Sequence, residues 1–161
     1  FRVSVLPIVK ILSAFFVHLF FIGFLVLMFW IYGYRPNVYY IQLFYYSFSM
    51  TLLVLGLSWI TSSLAVFLKD TVQVVAVLLQ MGFWLTPILW PIAMVPERYH
   101  FLFKLNPMFY IVEGYRDTLI HGVWVWHRYN QSMYFWTITI LIFIVGALLF
   151  KRLRPHFSDV L

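Results

Sequence analysis

The chain has 161 residues, of which 64% are hydrophobic, 22% aromatic and 10% charged, with 11 Lys and Arg against 5 Asp and Glu for a net charge of +6. Soluble domains carry about 25% charged residues, so this chain lacks a water-facing shell and reads as a membrane protein. Seven Pro, seven Gly and no Cys exclude collagen-like repeats, disorder, a disulfide scaffold and thiol chemistry, and basic residues scattered between apolar blocks argue against nucleic acid as a partner.

A spanning helix needs about 20 apolar residues to cross about 30 Å of hydrocarbon, with every backbone polar group satisfied internally. Four segments qualify. The first, 11–32, lies between Lys10 and Arg35 and is interrupted by Ser13, His18 and Gly23. With no acidic residue beside it at membrane depth, His18 reads as a packing hydrogen-bond donor rather than a proton relay. The second, 39–68, ends at Lys69 and is long enough to require tilt or an interfacial first turn. On it Ser47, Thr51, Ser58, Thr61, Ser62 and Ala65 share one arc, which reads as a helix-packing seam, with conduit lining as the alternative.

In the third span, 72–89, Gln73, Val77, Gln80 and Trp84 recur along one edge that Pro87 continues. Side-chain amides in hydrocarbon are costly unless partnered, so this edge should face protein or water. Amides exchange hydrogen bonds with sugar hydroxyls and aromatic faces pack on sugar rings, whereas neither suits a bare ion. Structural bonding between helices is an equal reading. Of the many aromatics at the outer end, most form an interfacial belt. Phe83, Trp84 and Trp90, between the amide edge and the segment that follows, are the pathway candidates.

That segment, 91–131, alternates charges with aromatics. Pro96 and Glu97 open a short helix over 96–105; Asn106 caps a second over 107–121, with Pro107 at its first position and Gly122 closing it. On the second, Met108, Ile111, Val112, Tyr115 and Leu119 make an apolar stripe, and Tyr110, Glu113, Gly114, Asp117 and His121 share the other face. An amphipathic pair too short to span is expected to sit in the outer leaflet or dip back into it, as a lid over a pathway or as a plain extracellular cap. The fourth span, 132–150, is stopped by Lys151, Arg152, Arg154 and Pro155. Four crossings put both chain ends on one side. If that side is the cytoplasm it holds Arg2, Lys10, Lys69, Lys151, Arg152 and Arg154, against Arg35, Arg98, Lys104, Arg116 and Arg128 outside. The opening at Phe1 is neither a start methionine nor a signal peptide, so the chain reads as the later part of something longer.

The best case for catalysis is Glu113, Asp117 and His121, spaced by four residues, with His127 nearby. No His-Glu-x-x-His pattern or second ligating helix accompanies them, and Arg116 and water balance the two carboxylates more simply. No phosphate-cradling Gly-x-x-x-x-Gly-Lys-Ser/Thr loop is present, so ATP is not bound here by that route.

Taken in order, Phe67-Leu68-Lys69-Asp70 with Gln73, Gly82-Phe83-Trp84-Leu85-Thr86-Pro87-Ile88-Leu89-Trp90, Val95-Pro96-Glu97-Arg98-Tyr99, Leu105-Asn106-Pro107, Glu113-Gly114-Tyr115-Arg116-Asp117 and the tail from Arg152 to Leu161 resemble the membrane subunits of polysaccharide-exporting ABC transporters. The resemblance runs end to end. It implies an all-α membrane fold in which this chain supplies the last four of six spans plus two short re-entrant outer gate helices. It also implies a bacterial cytoplasmic-membrane location, a second copy of the chain, two copies of an ATPase subunit carrying ATP and Mg, and no cofactor in this chain. The implied cargo is an undecaprenyl-diphosphate-linked polysaccharide, teichoic acid being favoured over O-antigen or capsule on the Gly-Phe-Trp-Leu-Thr-Pro segment. Gln73, Gln80, Phe83, Trp84 and Trp90 are then the pathway residues, Tyr110, Glu113, Arg116 and Asp117 the gate, and Arg2, Lys69 and Asp70 the ATPase contacts, with Lys69 where the family usually has arginine. The rival readings are a membrane-embedded glycolipid-processing enzyme using Glu113, Asp117 and His121, and an ABC exporter of drugs or lipids.

Overall fold

A computed structural model describes residues 5–153 and 155. Three helices are long and apolar enough to cross a membrane: α1 (Val5–Ile31), α2 (Gln42–Phe67) and α6 (Tyr129–Leu153). α1 starts earlier than its apolar run because Pro7 is tolerated in a first turn and Lys10 can carry its ammonium outward on a long stem. Gly33, at φ +90°, turns the chain after α1, a conformation open to glycine at little cost. The Asn37 side chain then accepts from Tyr39 N and opens the short 3-10 turn leading to α2.

α3 (Thr71–Leu85) corrects the expected span 72–89. Thr86 precedes Pro87 and is extended, at φ −80° and ψ 130°, because the proline ring crowds a helical conformation in the residue before it. The remaining 15 residues reach about 22 Å, short of the hydrocarbon thickness. None of them is buried in the single chain. Beyond lie two 3-10 turns, a short α4 (His100–Lys104), α5 (Pro107–Arg116) and a π-helical turn over Asp117–His121. Asn106 caps α5, accepting from Met108 N at 3.0 Å, and Gly122 closes the π turn at φ +64°.

The core lies between α2, α5 and α6, around Tyr46, Leu53, Tyr110, Ile111 and Phe135. α2 and α6 make the main seam through glycines: a Cβ on Gly56 would stand 3.0 Å from Phe143 Cα, and one on Gly146 would stand 2.5 Å from Gly56 O. Such close backbone approach is how membrane helices gain contact where hydrocarbon supplies no drive to associate. The Gly146→Val substitution should therefore cost about 1–3 kcal/mol by overpacking, read as a lower unfolding temperature in detergent; an unchanged temperature would deny the seam.

This seam is not the expected hydroxyl stripe. Ser47, Thr51, Thr61 and Ser62 donate to carbonyls of their own helix at 2.7, 2.8, 3.2 and 3.3 Å. Local back-bonding satisfies Thr51, Thr61 and Ser62 without a partner helix. Ser47 also meets Tyr115 Oη at 2.8 Å, and the same phenol shares a 2.9 Å hydrogen bond with His18 Nε2. One tyrosine of α5 thus joins α1 to α2.

The second helix of the outer segment departs from amphipathic expectation. Its supposedly polar face is buried at Tyr110, Glu113, Gly114 and Asp117. Gly114 makes this fit, since its missing side chain leaves room for the fully buried Tyr46 ring. The carboxylates are tolerated inside because guanidinium groups reach them.

Candidate functional site

Where α3 ends, the chain turns under α5 and leaves a recess of about 370 Å³, with Leu89, Trp90, Glu113, Arg116, Ile120 and His121 among its lining residues. Trp90 is half-buried. Its Nε1 donates to Trp84 O at 3.3 Å, and its ring stands edge-on to Phe103 at 5.5 Å. The lining is mainly aliphatic, with one indole, and also includes a carboxylate, a guanidinium and an imidazole.

Behind the recess sits an ionic cluster. Arg116 Nη1 donates to Glu113 Oε1 at 2.7 Å, while its Nη2 donates to Ile88 O at 2.8 Å. Arg128 Nε and Nη2 both donate to the Asp117 carboxylate, and Nη2 stands 3.6 Å from Glu113 Oε2. His121 Nδ1 lies 3.2 Å from Asp117 Oδ1. The Asp117 side chain is 2% exposed, so the fork of Arg128 is its main source of compensating charge. Arg128 replaces the water expected to balance these carboxylates. It stands eleven residues beyond Asp117, after the helix has ended, where no periodicity links them.

Among the described residues no group of three metal-ligating side chains comes together. Both carboxylates of the catalytic rival are held by guanidinium groups, which leaves neither disposed as a free base.

Of the remaining candidates, Tyr110 faces away from the recess. Its ring stacks on Phe135 at 4.8 Å, and its hydroxyl meets Ser132 Oγ at 2.8 Å and Tyr45 Oη at 3.1 Å. Burial pushes the phenols of Tyr110 and Tyr115 above their ordinary value, so both serve as neutral hydroxyls. Gln73 and Gln80 are exposed on α3, and neither amide meets a hydrogen-bond partner among the described residues. Phe83 and Trp84 are exposed at its end, ring to ring at 5.7 Å. Lys69 and Asp70 are exposed at the turn between α2 and α3. Arg2 lies outside the described residues. The structure thus gathers Trp90, Glu113 and Arg116 at the recess with Asp117 behind them, and leaves the α3 candidates on an open helix.

Residues 1–120 match the sequence model of the ABC-2 type transporter membrane family. The chain belongs to that family. Two similar proteins are both described as an O-antigen export system permease protein from Klebsiella pneumoniae. One is 25% identical over 159 residues, covering 98% of this chain and 60% of the relative; the other is 25% identical over 132 residues, covering 81% and 50%. The chain thus spans between half and two thirds of the length of these relatives. ABC-2 family membership and three long apolar helices make it a multi-pass protein of the bacterial inner membrane.

Proposed function

We propose that this chain is part of the membrane subunit of an ATP-driven exporter that moves a lipid-diphosphate-linked polysaccharide outward. The observation that carries this reading is the recess, which the Trp90 indole lines together with Glu113, Arg116 and His121. An indole offers a flat apolar face to a sugar ring, and charged donors and acceptors in the same recess can exchange hydrogen bonds with hydroxyls as a polymer advances. The two O-antigen export relatives support an O-antigen-like cargo, ahead of teichoic acid or capsule, and the undecaprenyl carrier is part of the proposal.

In this reading α3, continued by the buried Thr86-Pro87 link to Trp90, makes a fourth crossing, and α4 and α5 sit in the outer leaflet as a re-entrant gate. Two copies of the chain face one another across a conduit. The exposed amides of Gln73 and Gln80, which need protein or water in a bilayer, then find both. Two ATPase subunits supply ATP and Mg chemistry at the cytoplasmic side, near Lys69 and Asp70, and this chain does no covalent chemistry.

Depleting the protein and locating lipid-linked glycan tests the class: accumulation on the inner leaflet is expected, and unchanged appearance of glycan outside would reject export. Trp90→Ala should lower export about threefold to tenfold at equal protein level, the scale of one ring-stacking contact, in a vesicle assay that follows labelled glycan. Full retention of export would remove Trp90 from the path.

A further inference from the structure

The far end of α3 is attached to the outer helices by Thr86 and Asn106, which do not line the recess, and by Arg116, which does. Thr86 is 3% exposed and Pro87 fully buried, although no residue of α3 before them is buried. Thr86 Oγ1 donates to Gly82 O at 2.7 Å, closing the last turn of α3, and accepts from Asn106 Nδ2 at 2.8 Å. The other end of the same Asn106 amide accepts from Met108 N at 3.0 Å, opening α5. A single side chain therefore uses its donor on the end of α3 and its acceptor on the start of α5. At the opposite end of α5, Arg116 Nη2 donates to Ile88 O at 2.8 Å. α5 is strapped to the chain leaving α3 at both of its own ends.

Nothing in capping alone calls for this. Serine would satisfy Met108 N as well as asparagine does, and arginine already has Glu113 as its counter-ion. The extra bonds matter for a helix that moves. α3 is about 22 Å long, carries the exposed Lys69-Asp70 turn at one end and these ties at the other, and buries no residue that would fix it in place. Displacement at the turn reaches α5 only if the far joint holds.

We propose that Thr86 and Asn106 are positioning residues that couple the far end of α3 rigidly to α5, so that motion at the ATPase end of α3 is delivered to the outer helices rather than lost at the joint. Arg116 on Ile88 O is the second point of the same joint. This rests on the export reading for what the motion accomplishes, but the joint itself can be observed without any cargo.

Two variants break it from opposite sides. Thr86→Val removes the acceptor at nearly equal volume. Asn106→Ser keeps a cap for Met108 N but is too short to reach Thr86. The sequence has no Cys, so cysteines introduced at the exposed Leu78 of α3 and Ile120 beyond α5 give specific spin-label sites; Ile120 lines the recess, so transport is measured in the unlabelled proteins. In the complete transporter with its ATPase subunits, the distance between labels should be the same with and without ATP. In either variant it should become nucleotide-dependent. In vesicles, glycan moved per ATP hydrolysed should fall about threefold to tenfold, the equivalent of one neutral hydrogen bond, with ATP hydrolysis retained, and the double variant should be no worse than either single one. Label distances that stay fixed in both variants would overturn the joint. Movement confined to the variants, in a complex that transports no glycan even as wild type, would uphold the joint and reject the cargo.

Discussion

Replacing Arg128 by Met should destabilise the folded protein by about 3–5 kcal/mol, the cost of leaving one member of a buried ion pair alone. The substitution keeps most of the side-chain volume, so the loss reports charge rather than packing. Asp117, 2% exposed, would retain only His121, itself half exposed, and Glu113 would retain Arg116. Arg128→Lys should recover only part of the loss, because an ammonium is a point charge and cannot place two parallel donors on the Asp117 carboxylate. The double variant Asp117→Leu/Arg128→Met should lie well above the single Arg128→Met in stability, since the uncompensated charge has gone with its partner. Thermal unfolding in detergent measures all three. Equal stability of Arg128→Met and wild type would mean that Asp117 is compensated by other means.

Gly114→Ala carries the second large effect. The added carbon would overlap the Cδ1–Cε1–Cζ edge of the Tyr46 ring, which is fully buried. Tyr46 is itself closed in by Tyr45, Tyr110 and Tyr115, with ring centroids at 5.1, 5.5 and 6.2 Å, so the ring has no open direction in which to swing. Overpacking of a closed site costs about 1–3 kcal/mol and occasionally more, and the upper end is expected here because the blocking atoms belong to a rigid ring. Shrinking the neighbour should compensate: Tyr46→Leu combined with Gly114→Ala is expected to be more stable than Gly114→Ala alone. Failure of that rescue in the same unfolding assay would show that Gly114 is needed for a reason other than room for Tyr46.

The three long helices were legible because hydrophobic runs between Lys10, Arg35, Lys69 and Lys151 are bounded by charges that hydrocarbon refuses. The start of α5 was legible in Asn106-Pro107 and its close in Gly122, since caps are local chemistry. Pro87 was legible as a bend, but it ended α3 outright by forcing Thr86 into an extended conformation, which shortened the expected span. What failed was the assignment of faces. Periodicity marks Tyr110, Glu113, Gly114 and Asp117 as a polar side, but cannot show that Arg128 returns to neutralise it or that Tyr46 fills the glycine. Both partners come from other elements of the chain. The hydroxyl stripe of α2 divides: Ser47 meets Tyr115 of another helix, whereas Thr51, Thr61 and Ser62 are satisfied by their own backbone, a distinction that residue spacing does not carry. The sugar-facing edge on α3 was read from amide spacing, and those amides find no partner among the described residues.

The glycine contacts between α2 and α6 bear on how such a machine works. A device that turns chemical energy into displacement needs a chassis as well as a lever. With Gly56 O lying against Gly146, these two helices have almost no room to slide or roll past each other, whereas α1 and α3 hold few such anchors. Comparing nucleotide-bound and nucleotide-free forms should accordingly find the α2–α6 crossing unaltered and the travel concentrated in the helices on either side of it.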